Sequence, residues 1–227
     1  MDADLLRRCG GGCLDRKDIG AVKRPLIAAT EDLPLPRQAR SVAKRERILE
    51  AGRALFRARG YESTSIEDIT AHAGVAAGAF YLSFRSKRQL LIVLMNELTE
   101  RLAALDLRPA ASKDMQAALR EFVAALFRTD LEYYGVVRAW QEASLTDREL
   151  RAMHAEIESW THARILSVFR KLQTLPHARR DIDLPAFAQM MDRHFWSLLA
   201  RAATLTPREL QREVRIAADV MHRYLFK

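Results

Sequence analysis

STSIEDITAHAGVAAGAFYLSFRSK, residues 63 to 87, carries the pattern on which the fold turns. Ser65 is a good helix N-cap, and Asp68 three residues later completes a capping box. Ile66 and Ile69 share one face of the helix that follows. Gly74 breaks the periodicity where a left-handed backbone is cheap only for glycine. A second short helix starts near Ala76, and Val75, Phe80 and Phe84 can pack back on Ile66 and Ile69. Two such helices joined by a tight turn containing Gly make a helix-turn-helix unit. In that unit the second helix enters the major groove of DNA.

The flanks support the same reading. A helix is expected from about Ala39 to Arg59, with Ile48, Ala51, Gly52, Leu55 and Phe56 as its apolar stripe. Gly52 weakens a helix interior by about 1 kcal/mol, which predicts close approach of another helix. Gly60 ends the segment as a C-cap and Tyr61 tucks in after it. A further helix opens at Ser86, with Gln89 in the capping position, and runs through Leu90, Leu91, Leu94, Leu98 and Leu102 to about Leu105.

The run Ala43–Leu91 resembles the N-terminal domain of the TetR family of transcriptional regulators. The matching residues are Ile48-Leu49-x-Ala51, Leu55-Phe56, Gly60-Tyr61, Ser63-Thr64-Ser65-Ile66, Asp68-Ile69, Ala73-Gly74-Val75, Gly78, Phe80-Tyr81, Phe84 and Ser86-Lys87. They span about a quarter of the chain; the rest matches only in length and helical character. The resemblance implies a tail at 1–38, a DNA-binding domain at 39–86, and a ligand-binding and dimerisation domain at 87–227.

Composition agrees. The 227 residues are 49% apolar and 29% charged, with nine Gly and seven Pro, which favours a soluble all-α fold. Net charge is +8. Between Arg37 and Arg88 eleven basic residues face five acidic ones, so this segment alone carries +6 of it. Positive charge concentrated on a helix-turn-helix suits phosphate binding. No apolar run approaches the ~20 residues of a membrane span. No secretory signal pattern opens the chain, so a cytoplasmic location is expected. Cys9 and Cys13 form a lone C-x3-C pair, short of the four ligands of structural zinc. Residues 1–38 read as a tail: either an arm reaching DNA or a segment upstream of the true start codon.

Beyond Pro109, helices are expected over Ser112–Tyr133, Val136–Ser144, from a Thr146/Glu149 capping box to about Leu175, from Leu184-Pro185, and from Thr206-Pro207-x-Glu209. No strand pattern and no internal repeat is visible. No nucleophile–base pair or phosphate loop emerges, so no enzyme activity and no cofactor are expected. His154, Glu158 and His162 share a helix face but span about 12 Å of it, a poor metal site. His194 and His222 stand in no pattern.

The resemblance also implies particular roles. Thr64, with Ser65 beside it, Tyr81 and Lys87 stand where the family holds phosphates. Ala76, Ala77 and Ala79 occupy the reading positions around Gly78, where the family usually has Ser, Lys or Thr. Alanine can only pack on a thymine methyl, so shape readout and contacts from Arg40, Lys44 or the tail are expected to add specificity. The body would enclose an unidentified small molecule among Phe122, Phe127, Tyr134, Trp140, Trp160, His162 and Phe169, unless these form solid core. The last two helices would pair the homodimer through Phe195, Trp196, Leu199, Val214, Ala217, Ala218, Met221 and Leu225. The function expected is a ligand-responsive repressor bound as a dimer to a pseudo-palindromic double-stranded DNA operator. The alternative is a DNA-binding dimer with no small ligand, controlled by a protein partner or by abundance.

Overall fold

Nine helices follow one another in the computed structural model, which describes residues 39–107, 114–202 and 204–227. The expectations for residues 1–38, for Pro109 and for Ser112 lie outside the described residues. The helices are α1 (Ala39–Arg59), α2 (Ile66–Ala73), α3 (Ala77–Tyr81), α4 (Lys87–Ala104), α5 (Met115–Glu132), α6 (Tyr134–Thr146), α7 (Arg148–Gln173), α8 (Leu184–Arg201) and α9 (Pro207–Leu225). Among the described residues there is no strand, only an isolated antiparallel bridge between Ala178 and Phe226.

Local chemistry sets the boundaries. Ser65 Oγ accepts from Asp68 N at 3.0 Å, and Asp68 Oδ2 accepts from Ser65 N at 3.0 Å, a complete capping box. Gly74 ends α2 at φ 62°, donating to the Ala71 and Thr70 carbonyls. Thr206 and Glu209 form the second complete box, with Pro207 opening α9. The start of α7 differs from expectation. Thr146 is the last residue of α6, and Asp147 is the N-cap, its Oδ1 accepting from Glu149 N and Leu150 N at 2.9 and 3.0 Å. A carboxylate spanning two orphan donors outcompetes the hydroxyl one residue earlier.

Two buried clusters hold the helices. One joins Ile48, Leu49, Phe56, Ile69, Phe80 and Phe84 of α1–α3 and their connections to Leu90, Leu94 and Leu98 of α4, and continues into Tyr133, Val136, Trp140 and Ala143. The second gathers α5, α7, α8 and α9 around Leu119, Val123, Phe169, Phe187, Met191 and Met221. The first cluster therefore runs across the boundary expected at 86–87, and α6 packs with the head. Gly52 faces α4: a Cβ there would lie 2.9 Å from Leu90 Cδ2. Gly135 allows a closer approach, because its Cβ would stand 2.4 Å from Arg57 Cα and 2.5 Å from Arg57 N. The backbones of α1 and α6 thus touch at that point.

Candidate DNA-reading head and the cavity behind it

The short α3 has one buried side and one open side. Phe80 and Phe84 are buried, with Arg45 lying over the Phe84 ring at 5.2 Å. Ala76, Ala77, Gly78, Tyr81 and Leu82 are exposed and Ala79 is half-buried. A Cβ at Gly78 would meet nothing within 4 Å among the described residues, so none of these requires glycine there. Tyr81 projects with 53% of its surface free, and Leu82, passed over in the sequence, with 80%. Arg40 and Lys44 are exposed on α1.

Two expected phosphate contacts are occupied internally. Thr64 is fully buried, and its Oγ1 donates to the Gly60 carbonyl at 2.7 Å. Lys87 Nζ donates to the Tyr61 and Thr64 carbonyls at 2.7 and 2.8 Å and sits 4.2 Å from the Tyr61 ring centre. Burial lowers the pKa of this ammonium, while Glu62 and Glu142 oppose the shift. Burial, reinforced by Glu62, pushes the Tyr61 phenol up to about 12. Both side chains therefore close the α1–α2 turn instead of facing outward. Ser65 is likewise engaged in its cap.

The body grips this turn through carboxylates. Glu142 of α6 accepts from Tyr61 N at 2.8 Å through Oε2 and from Glu62 N at 3.1 Å through Oε1. Arg88, in the first turn of α4, donates to Asp147 and to Glu149, both at 2.6 Å. Burial works against the Asp147 charge, but hydrogen bonds from Arg88 and Leu150 hold its pKa below the usual carboxylate range. On the other side of α4, Arg53 pairs with Glu97 at 2.9 Å beside Tyr133, across a shallow polar cleft.

Behind α4 lies a cavity of ≈ 110 Å³. Its walls come from α4 (Met95, Leu98, Thr99, Leu102), α5, α6 (Val137), α7, α8 and α9 (Met221). Of the aromatics expected to enclose a ligand, Phe122, Phe127, Trp160 and Phe169 line it; Phe195 and Trp196 do so as well. Tyr134, Trp140 and His162 do not. Trp140 is fully buried in the head-side cluster, Tyr134 packs against that cluster, and His162 lies outside the wall. Asp130, on α5 and not singled out from the sequence, is in the wall. The His154–Glu158 pair is 3.5 Å apart, and no group of three or more His, Cys, Asp or Glu among the described residues could hold a metal ion.

The expected dimer residues also need correction. Val214, Ala217, Ala218, Met221 and Leu225 are buried within one chain, where α9 packs on α5, and Leu199 is buried as well. Phe195 and Trp196 face the cavity. Helical spacing finds a buried stripe but not what buries it. The large apolar residues exposed on these helices are Met190, Ile216 and Val220.

Among the described residues, a helix-turn-helix head stands on a helical body, the architecture of a DNA-binding regulator. Residues 48–94 match the model of the bacterial regulatory proteins of the tetR family. The chain is 32% identical over 121 residues to the HTH-type transcriptional regulator TcmR of Streptomyces glaucescens, covering 52% of this chain and 54% of TcmR. It is 28% identical over 173 residues to the HTH-type transcriptional repressor Rv1474c of Mycobacterium tuberculosis, covering 71% and 83% of the two chains. The fold is shared with a TetR family transcriptional regulator from Pseudomonas syringae pv. tomato, with a TM-score of 0.58 and 27% identity over 78% of this chain and 94% of that one. The chain carries, at residues 48–94, the head of the TetR family of transcriptional regulators, and the relatives and the shared fold agree with it. The chain spans about half the length of TcmR.

Proposed function

We propose that the protein is a cytoplasmic transcriptional repressor that binds a pseudo-palindromic operator as a dimer and leaves it when a small molecule fills the body. The observation that carries this reading is the bare, exposed face of α3, with Ala76, Ala77, Gly78 and Tyr81 open on a segment of net charge +6. Such a face approaches base edges closely and contacts thymine methyls without obstructing side chains. Arg40 and Lys44 supply charge beside it, and Tyr81 a phenolic donor for phosphate. The repressor name of Rv1474c supports the sign of regulation. Met190, Ile216 and Val220 support pairing through the outer faces of α8 and α9, in place of the residues first expected. Two heads so joined read half-sites about 34–36 Å apart, or a multiple of that spacing.

The cavity supports the ligand step. Four residues of its wall belong to α4, the helix whose first turn is tied to the head. A ligand that fits best when α4 is displaced favours the head spacing that misses the operator, and by linkage binds the DNA-free form more tightly. Equal ligand affinity on and off the operator would exclude this mechanism.

The test is selection of genomic fragments by purified protein, followed by titration of the best site in rising salt. One pseudo-palindromic site, bound by a dimer with steep salt dependence, is the expected result. Ala77→Asp should lower that affinity by at least about tenfold without changing thermal stability. Weak binding that is equal on every fragment would overturn sequence reading by α3.

A further inference from the structure

One acid in the wall of the cavity behind α4 has no partner among the described residues. Asp130 stands in a wall that is otherwise mainly apolar. Among the described residues its carboxylate accepts no hydrogen bond and meets no cation. The part of its surface that remains open belongs to a residue lining the cavity. Burial alone pushes its carboxyl up to about 7.

The charged groups of the wall are three: Asp130 on α5, Arg164 on α7 and Asp192 on α8; α4, α6 and α9 contribute none. Arg164 does not serve Asp130. Its Nη2 donates to the Leu105 carbonyl, its guanidinium lies 5.7 Å from the Trp160 ring centre, and the carboxylate that acts on it is Asp106. Asp192 is raised by burial, against the opposing effects of His162 and the Thr161 hydroxyl. Two acids thus face a space walled by Phe122, Phe127, Trp160, Phe195 and Trp196, with the one cation engaged elsewhere. A lone buried carboxylate is unfavourable unless something pairs with it, and aromatic faces attract a cation in the same space.

We infer that the cavity takes a small lipophilic cation, an organic ammonium whose apolar body lies among the rings and whose charged nitrogen meets Asp130. The inference rests on the ligand-cavity reading above and narrows it to a chemical class. A neutral occupant accepting a hydrogen bond from protonated Asp130 is the opposing possibility, and it has the opposite pH trend.

Two probes of one shape separate them. Benzyltrimethylammonium carries a permanent charge, and neopentylbenzene places carbon where the nitrogen stands. Binding to the full chain is followed by tryptophan fluorescence, since Trp160 and Trp196 line the cavity. At pH 8 the cation should bind at least about tenfold more tightly than its isostere, the order of one buried charge contact. Its affinity should fall about tenfold from pH 8 to pH 6 as Asp130 takes up its proton. Asp130→Asn should abolish both effects, whereas Asp192→Asn should retain the preference. Equal or tighter binding of the neutral isostere overturns the inference and leaves the ligand cavity standing. A preference that survives in Asp130→Asn overturns the assignment to Asp130. Binding of neither probe, by protein that still selects its DNA fragments, overturns the ligand-cavity reading together with the inference.

Discussion

The junction between α1 and α6 and the space between α4, α5, α7 and α8 are built to opposite standards. At the junction the backbones meet: Gly135 has no room for a Cβ against Arg57, and Glu142 takes up two amide groups of the α1–α2 turn. In the cavity, walls of large side chains leave ≈ 110 Å³ open and a carboxylate without a partner among the described residues. Close packing transmits displacement, because a filled interface cannot absorb it. An open cavity with an unpaired charge gives a binder something to stabilise. Under the proposed ligand response, this contrast gives transmission to one region and reception to the other.

The largest expected effect tests the cavity. Asp130 holds its proton in the folded state up to about pH 7, whereas in the unfolded chain it releases it near its ordinary value of 3.8. The folded state therefore binds more protons across that window, and this group's contribution to stability declines as pH rises through it. Above about pH 7 the loss is complete, at most about 4 kcal/mol. Urea unfolding of wild type and Asp130→Asn at pH 4.5 and pH 8 should show the variant gaining on wild type at the higher pH. Parallel behaviour at both pH values would mean that the carboxylate is solvated and the contrast false.

Gly135→Ala tests the junction. The added methyl meets backbone, which cannot rotate away, and should reduce stability by about 3 kcal/mol in the same assay. A loss of a few tenths would show that α1 and α6 separate easily, which would break the comparison from the other side. Glu142→Ala should reduce it by about 2 kcal/mol, leaving two amides without their charged acceptor. Ser65→Ala, which removes only a cap, should cost about 1 kcal/mol and calibrates the head against the junction.

The head was legible because its signals are local. Ser65 and Asp68, Gly74 and Gly60 act on backbone within four residues of themselves, so the sequence displays both partners at once. Gly52 announced a close neighbour and α4 provides it. The body was legible as helices but not as faces. Its apolar stripes are equally compatible with α9 packing on α5 or on a second subunit, and only the three-dimensional arrangement separates them. The parts that Gly135 and Glu142 play at the junction were not legible, because each answers a residue about 80 positions away. Thr64 and Lys87 show a different limit: a hydroxyl and an ammonium suited to phosphate are equally suited to backbone carbonyls. Asp130 carried no signal at all, since an acid becomes unusual only once its surroundings are known.

Lys87 and Arg88 are neighbours in the first turn of α4, yet one holds the head and the other the start of α7. Two grips about 100° apart around one helix end form a fulcrum that resists both spin and slide. The far end, at Leu102 on the cavity wall, lies about 21 Å away along the axis. A sideways push of about 2 Å there tilts the lever by about 5°. In the proposed dimer, carried across a half-site separation of about 34 Å, that tilt would displace one reading helix by about 3 Å, close to the rise of one base pair. Under the proposed ligand response, a molecule of a dozen atoms would in this way change the register in which the two heads of the dimer meet the DNA.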